Sequence, residues 1–382
     1  MRLNRLLVFA FFLIFTYGWS QSIRGAVYDA KTNLPIETAA IYFDNTTIGT
    51  TSNQQGEFEI DLRESVNAPL IISFLGYEKV IITDYKPSIR YKVMLNPVTS
   101  QLDEVYITTF DGMPKEIKIK HFREHFLGDT KNGRSCEILN EDDLILTYSK
   151  RNKQLTARSF KPIIVRNESL GYLVTYEIQD FVITYGNVDL RVNRFRPKSV
   201  FYQGTTYFQE LDNEPNRKYK KQRKKTYKGS VLHFMRAISE QRLKKEGYVL
   251  YSSGLPIDPD SYIRVTNIDS INSYDVKIRA PLSILYDKKF QTEIIPIANN
   301  RKGKRIDPNE HIITDADSLK AKLYLVPIKQ KEVVKRDFFN IDFRIDQFGN
   351  HSPIDAFFFI GYMGDLRIGD MLPNDYNYQE DK

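Results

Sequence analysis

At 382 residues, 41% of them hydrophobic, the chain is long enough for two or three domains with sizeable cores. A single cysteine, Cys136, excludes an internal disulfide framework, and no stretch after the N-terminus approaches the roughly 20 apolar residues of a membrane-spanning helix. The net charge of +7 is local rather than general, because Arg217 to Lys245 holds 12 Lys or Arg against one acid, Glu240.

Residues 1–20 have the order of a secretory signal peptide. Arg2 and Arg5 precede the apolar run VFAFFLIFTY, and the small residues Gly18 and Ser20 follow it. Removing that segment leaves 53 basic and 48 acidic residues, +5 in all, so everything outside Arg217–Lys245 sums to −6. The chain is expected to be exported to the periplasm, outer membrane or cell surface, with no membrane-spanning segment in the mature form.

Residues 21–97 show period-two patterns between turn residues. Ile23, Gly25 and Val27 share one strand face, as do Ile41 and Phe43, while Phe58, Ile60 and Leu62 alternate with acids. LIISFLGY is apolar on both faces, as a central strand requires, and Tyr91, Val93 and Leu95 close the set. In SNQQG, Asn53 suits an Asx turn and Gly56 a positive φ. The 24 Tyr and 24 Phe of the chain also favour pleated surfaces. The expectation is a small antiparallel sandwich.

Four blocks here, G-x-V-x-D at Gly25–Asp29, Thr32–Ile41, Gly49–Ile60 and Leu70–Tyr77, resemble the carboxypeptidase-like regulatory domain. That resemblance implies a transthyretin-like β-sandwich of seven-stranded type, common at the N-termini of Bacteroidetes outer-membrane proteins. It implies no catalytic groups in the sandwich. LDEVYI, residues 102–107, resembles the segment leading into the plug of TonB-dependent transporters, but the 275 residues after Ile107 are too few for a large transporter barrel.

Residues 98–135 read as a linker and a docking helix, PKEIKIKHFREHFLGD. At 100° per residue from Ile117, the apolar stripe of Ile119, Phe122 and Phe126 falls at about 140–200°, with His121 and His125 at about 40° and 80°, roughly 110° from the stripe centre and on its boundary or the wet face. The spacing H-x-x-E-H would let His121 and His125 bind a metal with Glu124 as general base. A catalytic zinc also needs a third ligand, and His233, His311 and His351 show no ligand spacing. The helix is therefore read as a docking element, with no metal and no cofactor.

Residues 136–382 read as a larger β-rich domain with a basic helical insertion at 214–246. Tyr172, Val174, Tyr176 and Ile178 share a face of a long strand, and VLHFMRAISEQRL has helical spacing between Gly229 and a C-cap at Gly247. Later strand candidates include YIRVTNI, YDVKIRA, KLYLVPIKQ, FNIDFRID and AFFFIGYM, the last read as a buried strand. Arg217, Lys218, Lys220, Lys221, Arg223, Lys224 and Lys225 form the candidate contact for an anionic surface or partner. LGYLVTYEIQDF, YKGSVLHFMRAISEQRLKKEGY and GDMLPNDY resemble a family of secreted Bacteroidetes proteins that carry the same N-terminal sandwich; the resemblance transfers no activity. The whole is mainly β. It reads as a non-enzymatic envelope protein that binds an envelope protein or anionic surface polymer and no nucleic acid.

Overall fold

The computed structural model describes residues 21–62, 68–98, 111–212, 216–268, 273–296, 340–353 and 356–378. The expected leader, LDEVYI, His311 and the strand at KLYLVPIKQ lie outside these. The chain divides into two compact units, Met1–Phe43 with Ile48–Val98, and Asp44–Thr47 with Thr99–Lys382. No helix among the described residues is long and apolar enough to cross a membrane.

The first unit is a β-sandwich of β1 (Gln21–Asp29), β2 (Ala40–Phe43), β3 (Gly49–Thr51), β4 (Glu57–Leu62), β5 (Leu70–Ser73), β6 (Val80–Ile82) and β7 (Arg90–Leu95). Its sheets run β4-β1-β7 and β3-β2-β5-β6. The alternating residues bury as their period dictates: Ile23, Val27, Phe58, Ile60, Val93 and Leu95 from one sheet, Ile41, Phe43, Leu70 and Ile72 from the other. One expectation is corrected. β1 and β7 pair in parallel, from Arg24↔Arg90 to Asp29↔Leu95, because the five intervening strands act as the crossover that a parallel pair needs. Gly25 is obligatory at this junction: a Cβ there would lie 2.6 Å from both the Phe58 ring and the Tyr91 carbonyl oxygen. Asn53 closes its turn by accepting from the backbone N–H groups of Gln55 and Glu57, and Gly56 has φ 75°.

The second unit begins with helix α1 (Lys115–Leu127) and the short α2 (Lys131–Arg134), then β8 (Cys136–Ile138), β9 (Leu144–Ser149), β10 (Gln154–Ser159), β11 (Ile163–Asn167), β12 (Tyr172–Asp189) and β13 (Arg194–Glu210). β12 is the hub of this sheet. β11 pairs with its first half, β10 with its second, and β13 runs along its whole other edge. Tyr172, Val174 and Tyr176 bury on even positions; an irregularity between Ile178 and Asp180 then shifts the parity, so that Phe181, Ile183 and Tyr185 continue the same core face. α1 docks there through Phe122 and Phe126, whose rings lie 4.8 Å from Phe181 and 5.1 Å from Tyr176 respectively.

The helices α3 (Arg217–Tyr227) and α4 (Val231–Ser239) are separated by Gly229 at φ 79°. α4 is shorter than expected: it ends at Ser239, and turns carry the chain through Gly247 into the next strand. After β14 (Tyr248–Ser252) and β15 (Leu255–Ile257) comes α5 (Pro259–Tyr262), then β16 (Ile263–Ile268), β17 (Ser273–Ile278), β18 (Leu282–Tyr286), β19 (Phe290–Pro296), β20 (Ile341–Asp346), β21 (His351–Ser352), β22 (Phe357–Gly361) and α6 (Tyr362–Asp365). They form sheets β15-β14-β18-β19-β22 and β16-β17-β20-β21 around a second core that takes in Phe234, Met235 and Ile238 of α4. FFFIG is not the wholly buried strand expected. Among the described residues β22 pairs only with β19, and only Phe357 of it is buried.

Candidate functional site

Two helices carry the residues singled out by spacing and charge. On α1, His121 and His125 do share one face, with ring centroids 6.0 Å apart. Neither is presented to an open site. His121 is half-buried, its Nδ1 3.2 Å from the Tyr185 hydroxyl and its ring edge-on to Tyr185 and Phe195. Glu124 is exposed, 3.8 Å from Lys120. Burial lowers the pKa of His121 and takes that of His125 down to about 4, so both imidazoles are neutral at pH 7. Among the described residues no group of three His, Cys, Asp or Glu side chains is placed to hold a metal ion.

The end of α1 borders a cleft of about 390 Å³ lined by Arg123, Glu124, Asp129, Arg134, Cys136 and their neighbours. Both of its arginines are paired, Arg123 to Glu141 at 2.6 Å and Arg134 to Asp129 at 3.7 Å. Burial, with Asp370 nearby, pushes the Cys136 thiol up to about 12, so it stays protonated and is no nucleophile.

An inward charge on α1 escaped the sequence reading. Lys118 is buried, ion-paired to Asp111, and donates to the Leu146 carbonyl oxygen at 3.3 Å. Asp111 in turn accepts from the Tyr148 N–H at 2.9 Å. The pair thus satisfies backbone groups on the outer edge of β9, whose strand partner among the described residues is β10.

α3 starts where Asn216 accepts from the N–H groups of Lys218 and Tyr219. Tyr219, Arg223, Thr226 and Tyr227 recur every three to four residues and are buried. Arg223 must therefore be removed from the anion-contact set. Its guanidinium donates to both carboxylate oxygens of Glu210 at 2.9 and 2.6 Å, to the Leu170 and Gly171 carbonyls, and lies 3.8 Å over the Tyr172 ring. The other six cations stay outside. Arg217, Lys218, Lys220, Lys221 and Lys225 are exposed, and Lys224 is half-buried, 5.7 Å over Tyr378. No carboxylate among the described residues pairs with Lys218, Lys221 or Lys225.

Residues 23–107 match the family model of the CarboxypepD_reg-like domain. A solved structure from Bacteroides uniformis, assigned only provisionally as a carbohydrate-binding protein, aligns with 51% of this chain and 80% of its own at 10% identity, with a TM-score of 0.18 that is too low for a common fold. No curated protein matches the chain.

Within the CarboxypepD_reg-like domain, the structure explains two of the motif residues. Asp29 ends the first block and Tyr77 the last, and the Tyr77 hydroxyl donates to the Asp29 carboxylate at 2.6 Å. That bond and the backbone N–H groups of Thr32 and Lys31 hold the Asp29 carboxyl below its usual pKa. Both residues pin loops to the sandwich. The domain match reaches neither α1 nor α3.

Beyond that domain, GDMLPNDY is also structural. Asp370 accepts from Thr130 and Asn132, and Arg236 donates to the carbonyls of Asn374 and Tyr376. His233, which showed no ligand spacing, is held in a buried cluster. Its Nδ1 accepts from the Gly229 N–H and lies 3.0 Å from the Tyr248 hydroxyl, while Nε2 faces Glu246 at 3.3 Å. The only sequence signal for it was its inward position on α4.

Proposed function

We propose that the protein is an exported, non-enzymatic binding protein of the cell envelope whose contact surface is the outward face of α3. The observation that carries this reading is the division of one basic run into two roles. Arg223 and the tyrosines fix the helix to its sheet, and that fixing turns Arg217, Lys218, Lys220, Lys221, Lys224 and Lys225 away from it. Holding like charges together on a docked helix is unfavourable in isolation. An anionic component relieves that repulsion by approaching it, which makes the face a place of attraction for such a component. The leader-like N-terminus and a CarboxypepD_reg-like domain, which adds no catalytic groups, support an envelope setting.

The test is adsorption of the mature chain, residues 21–382, to envelope fragments over a salt series. Adsorption at low salt should be released as salt is raised, because exposed charges are screened beyond about 8 Å at physiological ionic strength. A variant with Lys218, Lys221 and Lys225 changed to Glu should fail to adsorb. Adsorption that ignores both salt and these substitutions would count against the reading.

A further inference from the structure

The arrangement of cations on α3 narrows the class of partner, given the reading above that this face is the contact surface. Counting 100° and 1.5 Å per residue, Lys218, Lys221 and Lys225 form one row within about 60° of arc, at successive rises of about 4.5 and 6 Å. Arg217, Lys221 and Lys224 form an adjoining row. The result is a straight double file of positive charge about 12 Å long, parallel to the helix axis. It is also fixed in place: Tyr219 packs on Gly171, where a Cβ would lie only 2.4 Å from the ring, and Arg223 is held by the Glu210 carboxylate, the Leu170 and Gly171 carbonyls and the Tyr172 ring.

What the face lacks among its described residues is equally specific. Apart from Arg217 at the end, it offers ammonium groups, which are point charges without the planar fork that reads carboxylates, phosphates or base edges in bidentate fashion, so it selects by charge spacing rather than by the shape of each anion. Tyr219 and Tyr227 of the helix are turned inward, so they give no platform on which bases could stack. No apolar side chain of α3 faces outward to enter a bilayer, since the outward positions are Lys and Arg.

We infer that α3 binds a linear polymer bearing one fixed negative charge per short repeat, an anionic polysaccharide laid along the helix axis. Recognition is by charge spacing along a line, so affinity depends on how many consecutive repeats the row can hold.

Oligogalacturonates of increasing length test this against the mature protein, with neutral dextran, anionic phospholipid vesicles and duplex DNA as comparison probes at one salt concentration. Affinity should rise steeply with oligomer length until the chain spans the row and flatten beyond it, with no binding to dextran. At about a fivefold contribution per lysine near an anionic surface, K218E/K221E/K225E should weaken binding on the order of 100-fold. R194E/R196E/K198E, which makes the same charge change at exposed positions of β13, should move it less than threefold. Vesicles or DNA bound more tightly than the long oligomers would overturn the polysaccharide while leaving an anionic contact at α3 intact. Equal affinity for short and long oligomers would overturn the linear row. Binding of every anionic probe unaffected by the lysine substitutions would overturn both this inference and the contact surface it rests on.

Discussion

α1 and α3 are similar helices put to different ends. Each packs on the β8–β13 sheet or its immediate connections through aromatic residues, Phe122 and Phe126 in one and Tyr219 and Tyr227 in the other, and each turns one cation inward to a carboxylate. In α1 that cation is Lys118, paired with Asp111; in α3 it is Arg223, paired with Glu210. The difference lies in what remains outside. The marked residues of α1 are drawn into its border, where His121 meets Tyr185, whereas six of the seven marked cations of α3 stay outward or half-outward. A motif on a helix acquires a role from the face it lands on, and the inward aromatics and ion pair together set that face.

The sharpest way to break the comparison is to remove the inward cations. Arg223→Ala would leave the buried Leu170 carbonyl without its donor and take the guanidinium from Glu210 and the Tyr172 ring; Glu210 is exposed and the Gly171 carbonyl keeps the Leu211 N–H, so the cost should be about 2–4 kcal/mol. Lys118→Ala should cost less, about 1.5–3 kcal/mol, because Asp111 keeps its bonds from the Tyr148 and Met113 N–H groups. Urea denaturation of the two variants checks the order. A loss at Arg223 no larger than that of an exposed-lysine variant would mean the guanidinium does not fix α3.

These inward pairs mark where sequence reading stops. The sandwich was legible because alternation alone assigns Ile23, Val27, Phe58 and Ile60 to one interior, and Asn53 and Gly56 announce their turn. The parallel β1–β7 pair was not, since periodicity fixes which face a strand buries and says nothing about its neighbour. The hub strand β12 was read as one face from Tyr172 to Ile178; the shift before Asp180 that re-aims Phe181 inward leaves no compositional trace. Arg223 was hidden by its own company. Among seven Lys and Arg in nine residues, only the position of Glu210, Leu170 and Tyr172 in space distinguishes the one that faces in.

A smaller effect separates the histidine-bearing helix by pH. His125 has a folded pKa of about 4, lowered first by burial and then by His121 and Arg367, against about 6.5 in an unfolded chain. The folded state thus resists a proton that the unfolded state accepts. Stability from this group is fully present above pH 6.5, declines as pH falls toward 4, and is gone below it. The stability difference between the parent and His125→Gln should therefore shrink as pH falls from 7 to 4, as followed by thermal melting at each pH. A difference that stays constant or widens would place His125 in water.

The smallest expected effect is the most discriminating for α3. Lys221 stands at the centre of the outward face, with Arg217 and Lys218 four and three residues before it and Lys224 and Lys225 three and four after it. Helical neighbours at those spacings interact by about 0.2–0.5 kcal/mol each, unfavourably when charges are alike and favourably when opposite. Lys221→Glu replaces four repulsions with four attractions, so the variant should be slightly more stable than the parent, by about 0.5–1 kcal/mol after screening by salt. The same change removes the one cation shared by both rows and should weaken binding to an anionic polymer. A residue that served only the fold would lose stability and binding together. Opposite movement of the two, in one variant, is what a surface kept positive for a partner requires.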